Sequence, residues 1–120
     1  MQLGTDIIEI QRIKSAMEKH PRFCRRILTP KEQEYASSLR DKSSFVAGRF
    51  AAKEATVKCL GLGLRGFSWQ DMEILPDELG KPLLSLSPRL SELGKKQGIE
   101  KLEVSISHCR EYALAVVIGE

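Results

Sequence analysis

The sequence predicts an α+β domain in which a small antiparallel sheet packs on one long central helix, and three observations carry that expectation. Residues 2–10 cluster the β-branched Ile7, Ile8 and Ile10, as a strand does. Residues 42–60 read as the longest helix, with Gly61 as its C-terminal stop. Residues 101–108 and 111–118 read as a hairpin, with Val104 and Ile106 in the first arm and an unbroken apolar run, Ala113 to Ile118, in the second.

In the opening strand, Asp6 shares a face with Ile8 and Ile10, which puts a carboxylate among apolar residues. A short helix is expected from Ile10 to Lys19, closed by His20-Pro21, and a further helical turn over residues 22–28. Thr29-Pro30-Lys31-Glu32 is a capping box with proline at the first helical position, so a helix follows from Pro30 to about Leu39. On the long helix, at about 100° per residue, Val46, Phe50, Lys53 and Val57 fall on one stripe. Lys53 thus sits in the middle of an apolar face, flanked by Arg49 and Glu54, while Ala51, Ala52 and Ala55 allow another backbone close approach.

Beyond the glycines, Trp69–Leu75 and Pro82–Leu86 read as strands joined by an Asp77-Glu78-Leu79-Gly80 turn, and Ser87-Pro88 opens a short helix ending near Gly98. With no repeat, linker or low-complexity stretch, residues 1–120 are expected to form a single domain.

Composition narrows the function classes. Apolar residues make up 42% and charged residues 29%, ordinary for a soluble globular chain. No run approaches the roughly 18 apolar residues of a membrane span, and the N-terminus lacks the order of a signal peptide. Cys24, Cys59 and Cys109 are odd in number and widely spaced, so free thiols in a reducing, cytoplasmic setting are expected. Two histidines are too few for an imidazole-built metal site; a metal here would be held by carboxylates, which favours magnesium over zinc. The net charge is +3, yet residues 12–40 hold eight Lys/Arg against three Glu. That basic end suits an acidic partner.

Asp6 and Glu54 are the pair from which a magnesium site would be built, since magnesium takes one or two protein carboxylates plus waters and phosphate oxygens. The alternative is that Asp6 caps or pairs with a lysine and Glu54–Lys58 is a surface i,i+4 pair. Lys53 and Arg49 on the apolar stripe weigh against it, because buried charge needs a partner and a phosphate-rich ligand would serve. Gly61-Leu62-Gly63-Leu64-Arg65-Gly66 fits a dinucleotide fingerprint literally, but a helix precedes it and a strand follows, the reverse of what that fingerprint needs. The glycines, beside Arg65, still expose backbone N–H groups to which a phosphate can come close. Ser107-His108 without an acid beside them is a poor hydrolase triad. The run Arg12, Arg22, Arg25, Arg26 lacks interleaved aromatics and makes a weak nucleic-acid platform.

Several blocks in fixed order, namely Gly4-Thr5-Asp6-Ile7-Ile8-Glu9-Ile10, Arg26-Ile27-Leu28-Thr29, Gly48-Arg49-Phe50-Ala51-Ala52-Lys53-Glu54-Ala55, Phe67 to Ile74, Gly80-Lys81-Pro82 and Ser105-Ile106-Ser107-His108, resemble the small holo-acyl-carrier-protein synthase group of phosphopantetheinyl transferases. The resemblance runs almost end to end. It implies transfer of 4′-phosphopantetheine from coenzyme A to a serine of apo acyl carrier protein, release of adenosine 3′,5′-bisphosphate, a role in fatty acid biosynthesis, magnesium, and a homotrimer with sites between subunits.

By the same resemblance, Asp6 and Glu54 are the magnesium ligands and Lys58 lies near the pyrophosphate, these three being the catalytic set. Arg49, Lys53, Lys58, Gly61, Gly63 and His108 are expected at the coenzyme A site, and Arg12, Arg22 and Arg26 at the carrier-docking face. Leu62 departs from the pattern, since relatives often carry threonine there. The proton acceptor for the serine is left open between a metal-bound water and Glu54 acting through water. Two rival classes are a non-catalytic coenzyme A sensor, which would not need both carboxylates, and a basic nucleic-acid adaptor, whose affinity would fall steeply with salt. No nucleic-acid or membrane partner is expected.

Overall fold

The chain, in a computed structural model that describes residues 1–63 and 66–120, opens with β1 (Gln2–Glu9), which runs straight into α1 (Ile10–Lys19). The short α2 (Phe23–Ile27) and α3 (Pro30–Ser37) lead to the central α4 (Lys42–Leu60). A 3₁₀ turn at Trp69–Asp71 then precedes β2 (Met72–Pro76), β3 (Pro82–Leu86), α5 (Pro88–Lys96), β4 (Leu102–His108) and β5 (Tyr112–Gly119). Helix starts and stops follow local chemistry. The Thr29 side chain accepts from the Glu32 backbone while Glu32 reaches back to the Thr29 N–H, closing the expected capping box on α3. Asp41 accepts from the Ser44 N–H at the head of α4, and Gly61 ends that helix in the left-handed region at φ 67°.

The strands form two sheets rather than one. β1, β5 and β4 lie in that order, all antiparallel, and β2 pairs with β3 separately. The strand expected from Trp69 begins three residues later. Ser68 and Asp71 bond each other's backbone across the 3₁₀ turn, and Trp69 packs between Phe50 and Phe67, which suits a turn and not a ladder.

α4 carries the core. Its Ala51, Ala52, Ala55 and Cys59 face the inner side of the three-stranded sheet, where Ala115 and Val117 are also buried. Its Val46 and Ala47 face α1, α2 and α3 through Ile13, Ile27, Leu28 and Ala36. The helix is therefore buried on more than one side, so the apolar stripe read from the sequence understates its burial.

The run Ala113 to Ile118 divides between two environments. Ala113, Ala115 and Val117 pack inward, whereas Leu114 and Ile118 are exposed beside Leu3 and Ile7 of β1, their partners across the ladder. Period-2 alternation sends an apolar row to the outer surface of the sheet. That row spans two strands, with the Thr5–Val116 pair between its two apolar pairs.

Gly4 sets how closely β1 lies on α4. A Cβ there would collide with the Ala55 carbonyl oxygen and stand 2.7 Å from the Cys59 backbone nitrogen. Neither backbone atom can swing aside, so Gly4→Ala is expected to destabilise the fold by about 3 kcal/mol or more. Urea unfolding measures it, and a midpoint equal to the parent's would refute the close-approach account.

Candidate active site

Two clusters of polar residues lie at opposite edges of the three-stranded sheet, both on the side that faces α4. The first is built where β1, an edge strand, crosses α4. Asp6 occupies the inner face of β1, with its side chain 16% exposed, and receives Lys58 Nζ at 3.2 Å on Oδ1. The same ammonium donates to the Thr5 carbonyl at 2.9 Å. Glu54, one turn before Lys58, is half-buried beside them. Burial pushes its carboxyl up from the ordinary value, the Asp6 charge pushes it further, and Lys58 opposes both. The Asp6 carboxylate is therefore within electrostatic reach of Glu54. Lys58 bonds Asp6, so of the plain alternatives the lysine pairing of Asp6 is present, while Lys58 turns toward β1 rather than forming an i,i+4 pair with Glu54.

The donor set fits a hard cation. Two carboxylates on a strand and a helix leave most coordination positions to water and ligand oxygens, which is how magnesium is held, and among the described residues no cluster of three or more His, Cys, Asp and Glu side chains offers an all-protein cage.

The second cluster lies on the β4 side. Arg49 and His108 share a groove of about 260 Å³ with Asp41, Ser44, Phe45 and Ile106. The Arg49 guanidinium sits 4.2 Å from the Phe45 ring centre, and its Nε donates to the Ile74 carbonyl at 3.1 Å. Anchored by one nitrogen and a ring face, it keeps its Nη groups for the groove. Burial pulls its pKa below the ordinary value, with Glu32 opposing. His108 is exposed at the end of β4, across from Asp41, whose carboxyl is held below its ordinary value chiefly by the hydrogen bonds from Ser44. Gly48 lets this wall close up: a Cβ there would stand 3.2 Å from the Ile106 side chain.

Arg49 and Lys58 are nine positions apart, so they emerge half a turn round α4 and about 14 Å apart along its axis. Within one chain, the carboxylate cluster and the Arg49–His108 groove do not face each other.

Lys53 calls for a correction. Its side chain is 0% exposed, and its Nζ donates to Glu32 Oε1 at 2.6 Å and to the Ile27 carbonyl at 2.7 Å. The partner expected of a phosphate-rich ligand is Glu32 of the same chain, and assembly can only deepen that burial. Lys53 thus has its charge partner within the protein and offers no exposed surface to a ligand.

Gly61 and Gly63 are exposed with φ of 67° and 62°, following α4 as the sequence requires. The reading of Arg65 beside a phosphate lies outside the described residues. Arg22 and Arg26 flank an apolar cleft of about 420 Å³ with His20, Pro21 and Phe23, whereas Arg12 is exposed on α1 and does not line it. Sequence reasoning missed Asp41, Phe45 and Ile106 as groove walls, and Glu32 as partner of Lys53. The acidic member of the capping box is the one sequence signal that names Glu32, and it points to a different duty.

The chain is similar to known proteins over nearly its whole length. Residues 2–117 match the 4′-phosphopantetheinyl transferase superfamily. It is 49% identical over 118 residues to a holo-[acyl-carrier-protein] synthase of Clostridium novyi, covering 98% of this chain and 86% of that one. Its fold superimposes on a crystal structure of the holo-[acyl-carrier-protein] synthase from Neisseria meningitidis with a TM-score of 0.90 at 37% identity, covering 99% and 97% of the two chains. It also superimposes on a Bacillus anthracis holo-(acyl-carrier-protein) synthase in complex with CoA (3′,5′-ADP), with a TM-score of 0.83 at 39% identity over 99% and 95%.

Proposed function

The chain belongs to the 4′-phosphopantetheinyl transferase superfamily, and from that premise we propose how its two polar clusters perform the family's reaction. The enzyme is a transferase that moves 4′-phosphopantetheine from coenzyme A to a serine of apo acyl carrier protein, releasing adenosine 3′,5′-bisphosphate and supporting fatty acid biosynthesis. The observation that carries this reading for these residues is the convergence of Asp6, Glu54 and Lys58 at the β1 edge.

In the step, the serine hydroxyl oxygen attacks the β-phosphorus of coenzyme A, its proton passes to a water molecule, and the bond from that phosphorus to the leaving adenosine bisphosphate oxygen breaks. Asp6 and Glu54 would hold magnesium, which when bound supplies charge neutralisation on the pyrophosphate. Lys58, half-exposed and already bonded to Asp6, opposes negative charge growing on the departing phosphate. Arg49 and His108, with the glycine backbone at Gly61 and Gly63, hold the nucleotide portion of coenzyme A. Alignment and charge do most of the work.

The whole of residues 1–120 acts as one domain, assembled as a homotrimer. Two features support the ring: half-sites at opposite edges of the sheet, and the uncovered apolar row of Leu3, Ile7, Leu114 and Ile118, the first two about 60% exposed. A closed cyclic arrangement sets the β1 edge of one subunit beside the basic half of its neighbour. Free Cys24, Cys59 and Cys109 suit the cytoplasm, and among the described residues no helix is long and apolar enough to cross a membrane.

The test is mass spectrometry of an apo carrier protein incubated with this chain, coenzyme A and magnesium. A gain matching phosphopantetheine is expected, and an unchanged carrier mass would overturn the reading. Carrier proteins of this type are acidic, so Arg22→Glu or Arg12→Glu should raise KM for the carrier by about tenfold and leave KM for coenzyme A nearly unchanged. Added salt should mimic the reversal, because the Debye length is about 10 Å at 0.1 M. A rise in the coenzyme A KM instead would move these arginines to the nucleotide site.

A further inference from the structure

α2 spans five residues, too few to hold its own conformation, yet it lies between Arg22 and the buried Ile27 and Leu28. What fixes it is a polar junction inside the protein. Lys53 Nζ, on α4, donates to the carbonyl of Ile27, the last residue of α2, at 2.7 Å and to Glu32 Oε1 at 2.6 Å. Glu32 in turn accepts from the Thr29 N–H at 2.8 Å on the same oxygen and from the Ile74 N–H at 2.7 Å on Oε2. Both side chains are 0% exposed, and among the described residues no buried side-chain nitrogen or oxygen lacks a partner. A buried ion pair adds little stability over a well-packed apolar pair, but its bonds are directional, and here they converge from α2, α3, α4 and β2 on one point.

We propose that Lys53 and Glu32 are positioning residues for carrier binding: the pair fixes the placement of α2, with Arg22 and Arg26, relative to the helix that bears Arg49 and Glu54. The inference rests on the reading of Arg22 and Arg26 as the carrier-docking face. Neither residue touches substrate. Their effect passes through the Ile27 carbonyl and the backbone of the α2–α3 junction, so the step that feels it is recognition of the carrier and not the capture of coenzyme A.

The experiment uses the full chain carrying Glu32→Gln together with Lys53→Met, which removes both charges at once and avoids stranding one of them in the core. Glutamine keeps one acceptor for the backbone N–H groups, and methionine keeps the packing volume. Kinetics are measured at a temperature where circular dichroism shows the variant fully folded, beside Arg22→Glu as a control. The expected result is a carrier KM raised about tenfold, the worth of one hydrogen bond to a charged group, with the coenzyme A KM within about twofold. Hydrogen exchange at the Arg26 and Leu28 amides, which bond the Arg22 and Cys24 carbonyls, should quicken while that of the α4 amides does not. A purely structural role predicts a lower melting temperature with both KM values and the α2 exchange unchanged, and that result overturns the proposal. A raised coenzyme A KM with an unchanged carrier KM overturns it too, by returning Lys53 to the nucleotide site. If Arg22→Glu itself leaves the carrier KM unchanged, the docking face is wrong; faster α2 exchange in the double variant would then still support the tether, and unchanged exchange would overturn it.

Discussion

Replacing Asp6 or Glu54 with alanine is expected to lower phosphopantetheine transfer by about a thousandfold or more, because on the proposed reading each removes a carboxylate that would hold the cation neutralising the pyrophosphate. The fold should survive both changes. Asp6 is held by one ion pair with a half-exposed lysine, worth no more than about 1 kcal/mol, and Glu54 is only half-buried. Circular dichroism and thermal unfolding should therefore track the parent while transfer disappears. Excess magnesium should rescue neither variant, since filling an open coordination position with water does not restore the alignment of the phosphates. Turnover near that of the parent in either variant would remove that residue from the site. Lys58→Ala provides the contrast: kcat should fall more than KM rises if its ammonium acts on charge that develops only in the transition state.

Mixing two dead variants is expected to give a live enzyme. Chains carrying Asp6→Ala keep an intact basic half, and chains carrying Arg12→Glu, Arg22→Glu and Arg26→Glu keep intact carboxylates. If each site draws its halves from neighbouring subunits of a closed ring, co-refolding equal amounts restores about a quarter of the sites. The separation of the two clusters makes this more than a formality: Lys58 and Arg49 leave opposite sides of α4, and the groove of His108 opens on the β4 side of the sheet while Asp6 sits at the β1 edge. A site wholly within one chain gives no restoration, and neither does a monomer. Light scattering separates those two failures by mass.

Much of this arrangement was legible in the sequence because it depends on local chemistry. Gly61 ends α4 at the residue the sequence indicates, and the Thr29–Glu32 capping box starts α3 where proline allows it. Asp6 and Glu54 stood out because a carboxylate in an apolar strand and another on an apolar helix lack a packing reason. The misreadings share a different cause. Lys53 pairs with a residue 21 positions away, and no periodicity reports which distant carboxylate will reach a buried ammonium. The even apolarity of Ala113 to Ile118 hid its division between core and outer surface, which only the register with β1 reveals. The groove around His108 is assembled from α4 and β4, so Phe45 and Ile106 carried no signal of their own.

The treatment of Ile74 has a consequence for colloidal behaviour. Its N–H is taken by Glu32 Oε2 and its carbonyl by Arg49 Nε, both on the side of β2 away from β3. Two charged side chains thereby occupy the hydrogen-bonding positions that another strand would use, and a two-stranded ribbon that would otherwise recruit extended chains is closed at its middle. The exposed Leu79 and Leu83 of the same hairpin make that closure matter, since they would give an incoming strand something to pack on. Arg49 thereby satisfies the Ile74 carbonyl as well as lining the groove it shares with His108. A variant lacking it would carry two separate defects, one in turnover and one in solubility at high concentration.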